Sequence, residues 1–233
     1  MTIADASKLP SLSDFSGSLS DRVHAAIKGA ILSLDFLPGS SIRKTDVCDR
    51  LNVSRSPVAE ALTKLSSEGL VDIVPQSGTR VSRISMAAIR EDSFFREALE
   101  VAATRHAALH RTPDVVARLK RNLEMQKLLI VDVDKEDFIR TDDAMHEIIM
   151  STTGMARLPS MVDAVSAQID RARLMMVPEP GRLADTVDEH RKIIDAIERQ
   201  DVHGAEDAIR DHVRQLLTRL QSLETDRPDL ITS

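Results

Sequence analysis

The chain has 233 residues, of which 29% are charged, 42% hydrophobic and only 2% aromatic, with neither Trp nor Tyr. This composition excludes a disordered or collagen-like chain, argues against an all-β fold, and rules out any site built on Trp or Tyr. A single cysteine, Cys48, permits no intrachain disulfide, and no apolar run approaches the ~20 residues that span a bilayer. The expectation is a cytoplasmic protein with no membrane partner.

Residues 1–19 are Ser-rich and read as a loose arm. From Ser20, a plausible N-cap, Val23, Ile27, Ala30, Ile31 and Leu34 follow a helical period that Pro38-Gly39 ends. A short helix from Thr45 to Leu51 follows, then a turn at Asn52-Val53. The next helix opens at Ser54-Arg55-Ser56-Pro57, where either serine can cap and Pro57 falls in the first turn. It buries Val58, Ala61, Leu62 and Leu65 and stops at Gly69. Two β-prone runs, Leu70–Val74 and Thr79–Ser82, flank Pro75-Gln76-Ser77-Gly78 and predict a hairpin. Three helices and a hairpin wing make a winged helix-turn-helix over residues 20–83.

Beyond Arg83 the strand signals stop. Helical periodicity runs through 86–110, 113–131, 135–151, 155–176, 183–200 and 203–223, with breakers at Pro113, Gly154, Pro178-Glu179-Pro180-Gly181 and Gly204. The prediction is a mostly α protein: the winged head, then an all-helical bundle of about six helices over 84–225, then a tail over 226–233. The net charge of −6 divides into −1 for residues 1–19, +2 for 20–83 and −7 for the rest, as two modules with different partners would show.

A helix that enters a DNA major groove needs small polar or basic groups at its N-terminal end. Ser54, Arg55 and Ser56 supply them, and Arg55 can make the bidentate contact to guanine. Gln76, Gly78 and Thr79 at the hairpin tip are small enough to approach the duplex, and Arg43 and Lys44 are candidate phosphate contacts. Taken alone, these residues fit an ordinary helix start with a solvated arginine equally well.

The run Leu51-Asn52-Val53-Ser54-Arg55-Ser56-Pro57-Val58-Ala59-Glu60-Ala61-Leu62, with Glu68-Gly69-Leu70-Val71 and Pro75-Gln76-Ser77-Gly78-Thr79-Arg80-Val81, strongly resembles the GntR family of bacterial transcription regulators. Ala59 departs from it by replacing the arginine usual in the recognition helix. Asn52 stands for the usual Gly, a mild change because Asn tolerates the left-handed region.

In the acidic half, Phe138, Asp142, Met145, His146 and Ile149 share one helix face. His190 shares a face with Val187, Ile193, Ile194 and Ile197, and His212 with Ala208, Ile209, Val213 and Leu216. Asp142, His146, His190 and His212 therefore sit on the apolar stripes of three helices, where an ionisable group needs a partner. If the stripes share one core, a divalent cation serves all four. Three imidazoles and a carboxylate suit Zn first, with Ni, Mn or Fe as options. The plain alternative is a core histidine bonded to a backbone carbonyl. His106 and His110 form a decoy pair at a helix end, and His24 and His203 read as exposed.

This half resembles the FCD ligand-sensing domain of the FadR-type branch of the same family, through Arg96-Glu97-Ala98-Leu99-Glu100, Asp142-Asp143-Ala144-Met145-His146, Glu189-His190-Arg191 and His212. The resemblance implies that Asp142, His146, His190 and His212 hold the metal and that Arg96 lines a pocket for a small carboxylate effector. Met145 stands where Phe is usual. Arg171 and Arg173 are either further anion partners or solvated, and Phe94 or Phe95 is the nearby aromatic. The favoured function is a metabolite-responsive repressor that binds a palindromic double-stranded DNA operator as a homodimer. The alternatives are a purely structural metal or a helical metal-dependent hydrolase. No catalytic residue is assigned, because no second His follows His146-Glu147 at the spacing of a metalloprotease motif.

Overall fold

A computed structural model describes residues 2–132, 135–176, 181–226 and 230–232. Helix α1 (Leu19–Leu32) starts at Ser18, two residues earlier than the sequence suggests. The Ser18 hydroxyl accepts from Asp21 N–H at 3.2 Å and donates to the Asp21 carboxylate at 2.7 Å, a reciprocal cap. Helix α2 (Lys44–Leu51) ends on Asn52 in the left-handed region, φ 52°, which its short amide side chain tolerates. Helix α3 (Arg55–Ser67) has Ser54 at its N-cap, yet neither Ser54 nor Ser56 caps it. The Ser56 hydroxyl turns instead to Glu60 at 3.2 Å.

The hairpin consists of β2 (Val71–Val74) and β3 (Gly78–Val81), closed by a turn that holds Gln76 at φ 61° and Gly78 at φ 100°. A strand absent from the sequence reading, β1 (Ser41–Ile42), pairs antiparallel with β3 and gives the order β1-β3-β2. Two residues are too short to show a period. The winged helix-turn-helix is present as expected.

Residues 2–18 are a packed strap rather than a loose arm. Two 3-10 turns, Ala6–Lys8 and Leu12–Asp14, bury Ala6, Leu9 and Leu12, with Leu9 wholly inaccessible. Ala4 N–H bonds to Ser41 C=O at 2.9 Å, while Arg50 donates to Leu9 C=O at 2.6 Å and Arg22 to Leu12 C=O at 2.8 Å. The serines masked this pattern, because they are the exposed residues between the buried ones. The tail also contributes: β5 (Ile231–Thr232) runs parallel to β4 (Ile84–Ser85) and buries Ile231. Residues 178–180 of the predicted breaker, and 227–229 and 233 of the tail, lie outside the described residues.

The chain divides into two compact units, Met1–Met86 with Leu223–Ser233, and Ala87–Ser222. The second is all helix, carried by α4 (Met86–His110), α5 (Pro113–Asp132), α6 (Lys135–Ser151), α7 (Leu158–Ala164), α8 (Ala167–Met176), α9 (Arg182–Glu198) and α10 (Val202–Asp226). The predicted helix over 155–176 is thus two. At the break, Ser166 N–H bonds to Asp163 C=O, its hydroxyl bonds back to Val162 C=O at 2.8 Å, and its own carbonyl accepts the first bond of α8 from Asp170. No Gly or Pro marks this junction, so the break left no trace in the sequence. The core is aliphatic, with Leu119, Ile149, Ile193, Ile197 and Ile209 buried from four helices, and Met145 fills its place there fully buried.

The strap makes a direct prediction. Leu9→Ala should destabilise the N-terminal unit by about 2–4 kcal/mol, the usual cost of an unfilled leucine site, in denaturant unfolding. A loose arm would show no change.

Candidate functional site

Helices α6, α9 and α10 turn their apolar stripes into one core, and the polar members of those stripes meet there. Ring centroids are 5.7 Å apart for His146 and His190, 5.2 Å for His146 and His212, and 4.7 Å for His190 and His212. One ring nitrogen from each lies within 4.8 Å of the other two, and all three residues are buried. Asp142, one turn before His146, is 2% exposed. Its Oδ1 is 3.4 Å from His190 Nε2 and its Oδ2 3.9 Å from His146 Nε2.

Each ring turns its Nδ1 toward an oxygen. His212 Nδ1 donates to Glu189 Oε2 at 2.8 Å, and His146 Nδ1 lies 2.5 Å from Glu100 Oε2. For His190 the tautomer follows from a relay that starts at a backbone carbonyl. Thr141 C=O can only accept, so Asn122 presents its NH2 to it at 2.8 Å. The Asn122 carbonyl then accepts from Gln126 Nε2 at 2.7 Å, which leaves the Gln126 carbonyl to accept from His190 Nδ1 at 2.7 Å. The proton is fixed on Nδ1 and the lone pair on Nε2. The Nε2 atoms of His146 and His190, and Nδ1 of His146, are buried with no hydrogen-bond partner.

Burial holds His190 well below the ordinary imidazole pKa and lowers His212 too, so both are neutral at pH 7. Burial would raise Asp142, but the Arg173 guanidinium overrides it and holds the carboxylate ionised far below its usual range. Neutral imidazoles with converging lone pairs and an ionised carboxylate at their edge can hold a borderline transition metal.

A cavity of about 40 Å³ opens beside this cluster, with Arg96, Arg173 and Arg182 in its wall together with Asp142 and His212. Arg96 is where the sequence reading expected it, but its Nε is engaged by Glu100 one turn on. Neither Arg171 nor Arg173 is solvated. Arg171 is fully buried and donates to Gln168 at 3.3 Å. Arg173 is paired with Asp142, with Asp143 at 2.9 Å and with Asp170 at 3.4 Å. The aromatic ring in the wall is Phe138, whereas Phe94 is 71% exposed.

In the winged unit, Arg43 and Lys44 are exposed where α2 begins, and Ser54, Arg55 and Ser56 where α3 begins. Because no side chain caps α3, its first-turn N–H groups remain open to an external acceptor. Gln76 and Gly78 are exposed at the wing turn. Thr79 is not a tip residue: it pairs with Ile42 on one side and Ile73 on the other, and is 3% exposed. The strand begins one residue earlier than expected, at Gly78, so Thr79 lies within the sheet with its side chain buried. His24, also expected at the surface, is 9% exposed and bonds to Glu68 at 2.7 Å.

The family model for bacterial regulatory proteins of the gntR family matches residues 19–81, and the FCD domain model matches residues 93–215. The chain belongs to the GntR family. An uncharacterized HTH-type transcriptional regulator in an unstable DNA locus of Streptomyces ambofaciens is 31% identical over 91% of this chain and 89% of that protein. The HTH-type transcriptional repressor RspR of Escherichia coli is 28% identical over 91% and 92%. Among solved structures, E. coli McbR/YncC superposes with a TM-score of 0.73 at 20% identity, over 90% of this chain and all of that one. This GntR protein is a transcription regulator with a DNA-binding head and an FCD domain.

Sequence reasoning passed over Gln126 and the oxygens that face the rings. Gln126 lies on the α5 stripe with Leu119 and Leu123, and Glu100 on the α4 stripe with Ala103 and Ala107. The signal that singled out the histidines, a polar residue at an apolar period, was present at both.

Proposed function

We propose that this GntR regulator is a metabolite-responsive repressor that binds a palindromic operator as a homodimer. It carries one divalent transition metal, zinc foremost, on His146, His190, His212 and Asp142. The observation that carries the metal reading is the pair of buried, unpartnered Nε2 atoms on rings whose Nδ1 atoms all face oxygens. An imidazole desolvated with its lone pair unused is costly unless something accepts that lone pair. The repressor reading is supported by the name of the RspR relative. When bound, the cation supplies positive charge that attracts a carboxylate. Arg96 and Arg173 in the adjoining wall suit the same anion, since a guanidinium matches carboxylate geometry. Effector occupancy then shifts operator affinity by about 1–3 kcal/mol, the usual scale of coupling between sites.

An operator mobility-shift assay with chelator, then zinc, then candidate carboxylates tests the reading. Chelation should abolish the response to carboxylate, and zinc should restore it. A response that survives chelation contradicts the metal-centred mechanism.

The wild-type protein should take up about one zinc per chain, and His190→Ala should lose it and melt at a lower temperature, because a ligand bound only by the folded state stabilises it. His106→Ala, outside the cluster, should keep both. Full retention of metal in His190→Ala contradicts the ligand assignment. On the DNA side, Arg55→Ala should weaken cognate operator binding by roughly 1–3 kcal/mol and unrelated DNA much less. An equal loss on both would make Arg55 a phosphate contact instead.

A further inference from the structure

The pocket beside the histidines is also lined by the start of α9, through Arg182, Leu183 and Thr186. The helix has 17 residues, and Gly181 at its N-cap provides no side chain to accept from the first-turn N–H groups. Such a terminus carries partial positive charge and unpaired donors. Asp185, the acid of that turn, is engaged with Arg219 at 2.9 Å and is absent from the pocket wall.

Two side chains give this end its chemistry. Arg182 Nη1 is buried without a hydrogen bond. Its carboxylate neighbour, Glu189 Oε1, is 3.7 Å away, and the other oxygen of that carboxylate is held by His212 at 2.8 Å. Ser93 Oγ, on α4, lines the same pocket, belongs to a residue 3% exposed, and also has no partner. The guanidinium and the first-turn N–H groups are donors, and a serine hydroxyl can donate as well. The group they select is one rich in acceptor oxygens, a carboxylate.

We propose that the first turn of α9, Arg182 and Ser93 form a second anion subsite, and that the effector is a short aliphatic dicarboxylate. One carboxylate lies toward Asp142 and His212, as the effector reading above requires, and the second lies on α9. Phe138, Ile169 and Leu216 line the pocket as well, and an apolar wall suits a methylene spacer. The cavity is small, which suits a short spacer.

Calorimetric titration of the full-length protein, in saturating zinc, with acetate and butyrate against malonate and succinate tests this. The better dicarboxylate should bind at least tenfold tighter than the monocarboxylates. Arg182→Gln should bring the two classes to equal affinity. Arg182→Lys should keep part of the preference, and Ser93→Ala should weaken the dicarboxylates alone by several fold. Thermal melting and zinc content of each variant report its integrity. Should Arg182→Gln fail to fold, the wild-type preference and Ser93→Ala decide the matter. Monocarboxylates binding as tightly as dicarboxylates, or a preference that survives Arg182→Gln, would overturn the subsite and leave the carboxylate effector standing. Binding of none of the four would overturn the effector reading itself.

Discussion

Three imidazoles packed ring to ring inside an aliphatic bundle, 5.7, 5.2 and 4.7 Å between centroids, set the terms for the rest of the helical domain. They cannot all be protonated, since like charges at that separation in a dry interior repel strongly and each ion is poorly solvated. Burial holds His190 and His212 neutral, and a neutral imidazole needs one donor and one acceptor satisfied. The chain meets the donor half of that requirement for two of the rings, through Gln126 on α5 and Glu189 on α9, and turns Glu100 of α4 toward the third. The relay from Thr141 through Asn122 to Gln126 holds the His190 ring in one tautomer without any charge in the chain of bonds. What remains is a set of lone pairs directed at one point, beside a carboxylate that Arg173 keeps ionised.

That arrangement also shapes the adjoining cavity. Asp142 is shared between the histidine cluster, through Oδ1, and Arg173, through Oδ2. Glu189 is divided in the same way, with Oε2 on His212 and Oε1 toward Arg182. Two carboxylates thus link the cluster to two guanidiniums of the pocket wall. Because each link runs through a buried group with few alternative partners, a change of charge on one side is felt on the other, where the low dielectric screens little. A small anion entering the pocket meets arginines whose partners also face the imidazoles.

The sequence carries the placement of the cluster and hides its surroundings. A polar residue at an apolar helical period is a strong signal, and it is enough to put Asp142, His146, His190 and His212 on the inner faces of three helices. The same signal marks Gln126, but glutamine is not a metal ligand, so its part in the relay emerges only from the hydrogen bonds. Arg182 has no such signal: an arginine beside a Pro/Gly breaker reads as a surface residue, and only tertiary placement puts it in a pocket wall. In the winged head, the helices and hairpin follow from capping, period and turn residues. Thr79 is the exception, because the turn residues mark where the hairpin closes but not which face of the strand is buried. The strap of residues 2–18 reads as loose for a related reason. Its buried Ala6, Leu9 and Leu12 recur every three residues around two 3-10 turns, a run too short to build a helical stripe.

X-ray absorption at the zinc edge of the reconstituted full chain tests the central claim most directly, because multiple scattering from imidazole counts rings without reference to activity. The account predicts a first shell of nitrogen and oxygen at about 2.0–2.2 Å that includes three imidazoles and no sulfur. A shell with at most one imidazole, or a sulfur contribution from Cys48, would place the ion elsewhere and contradict it.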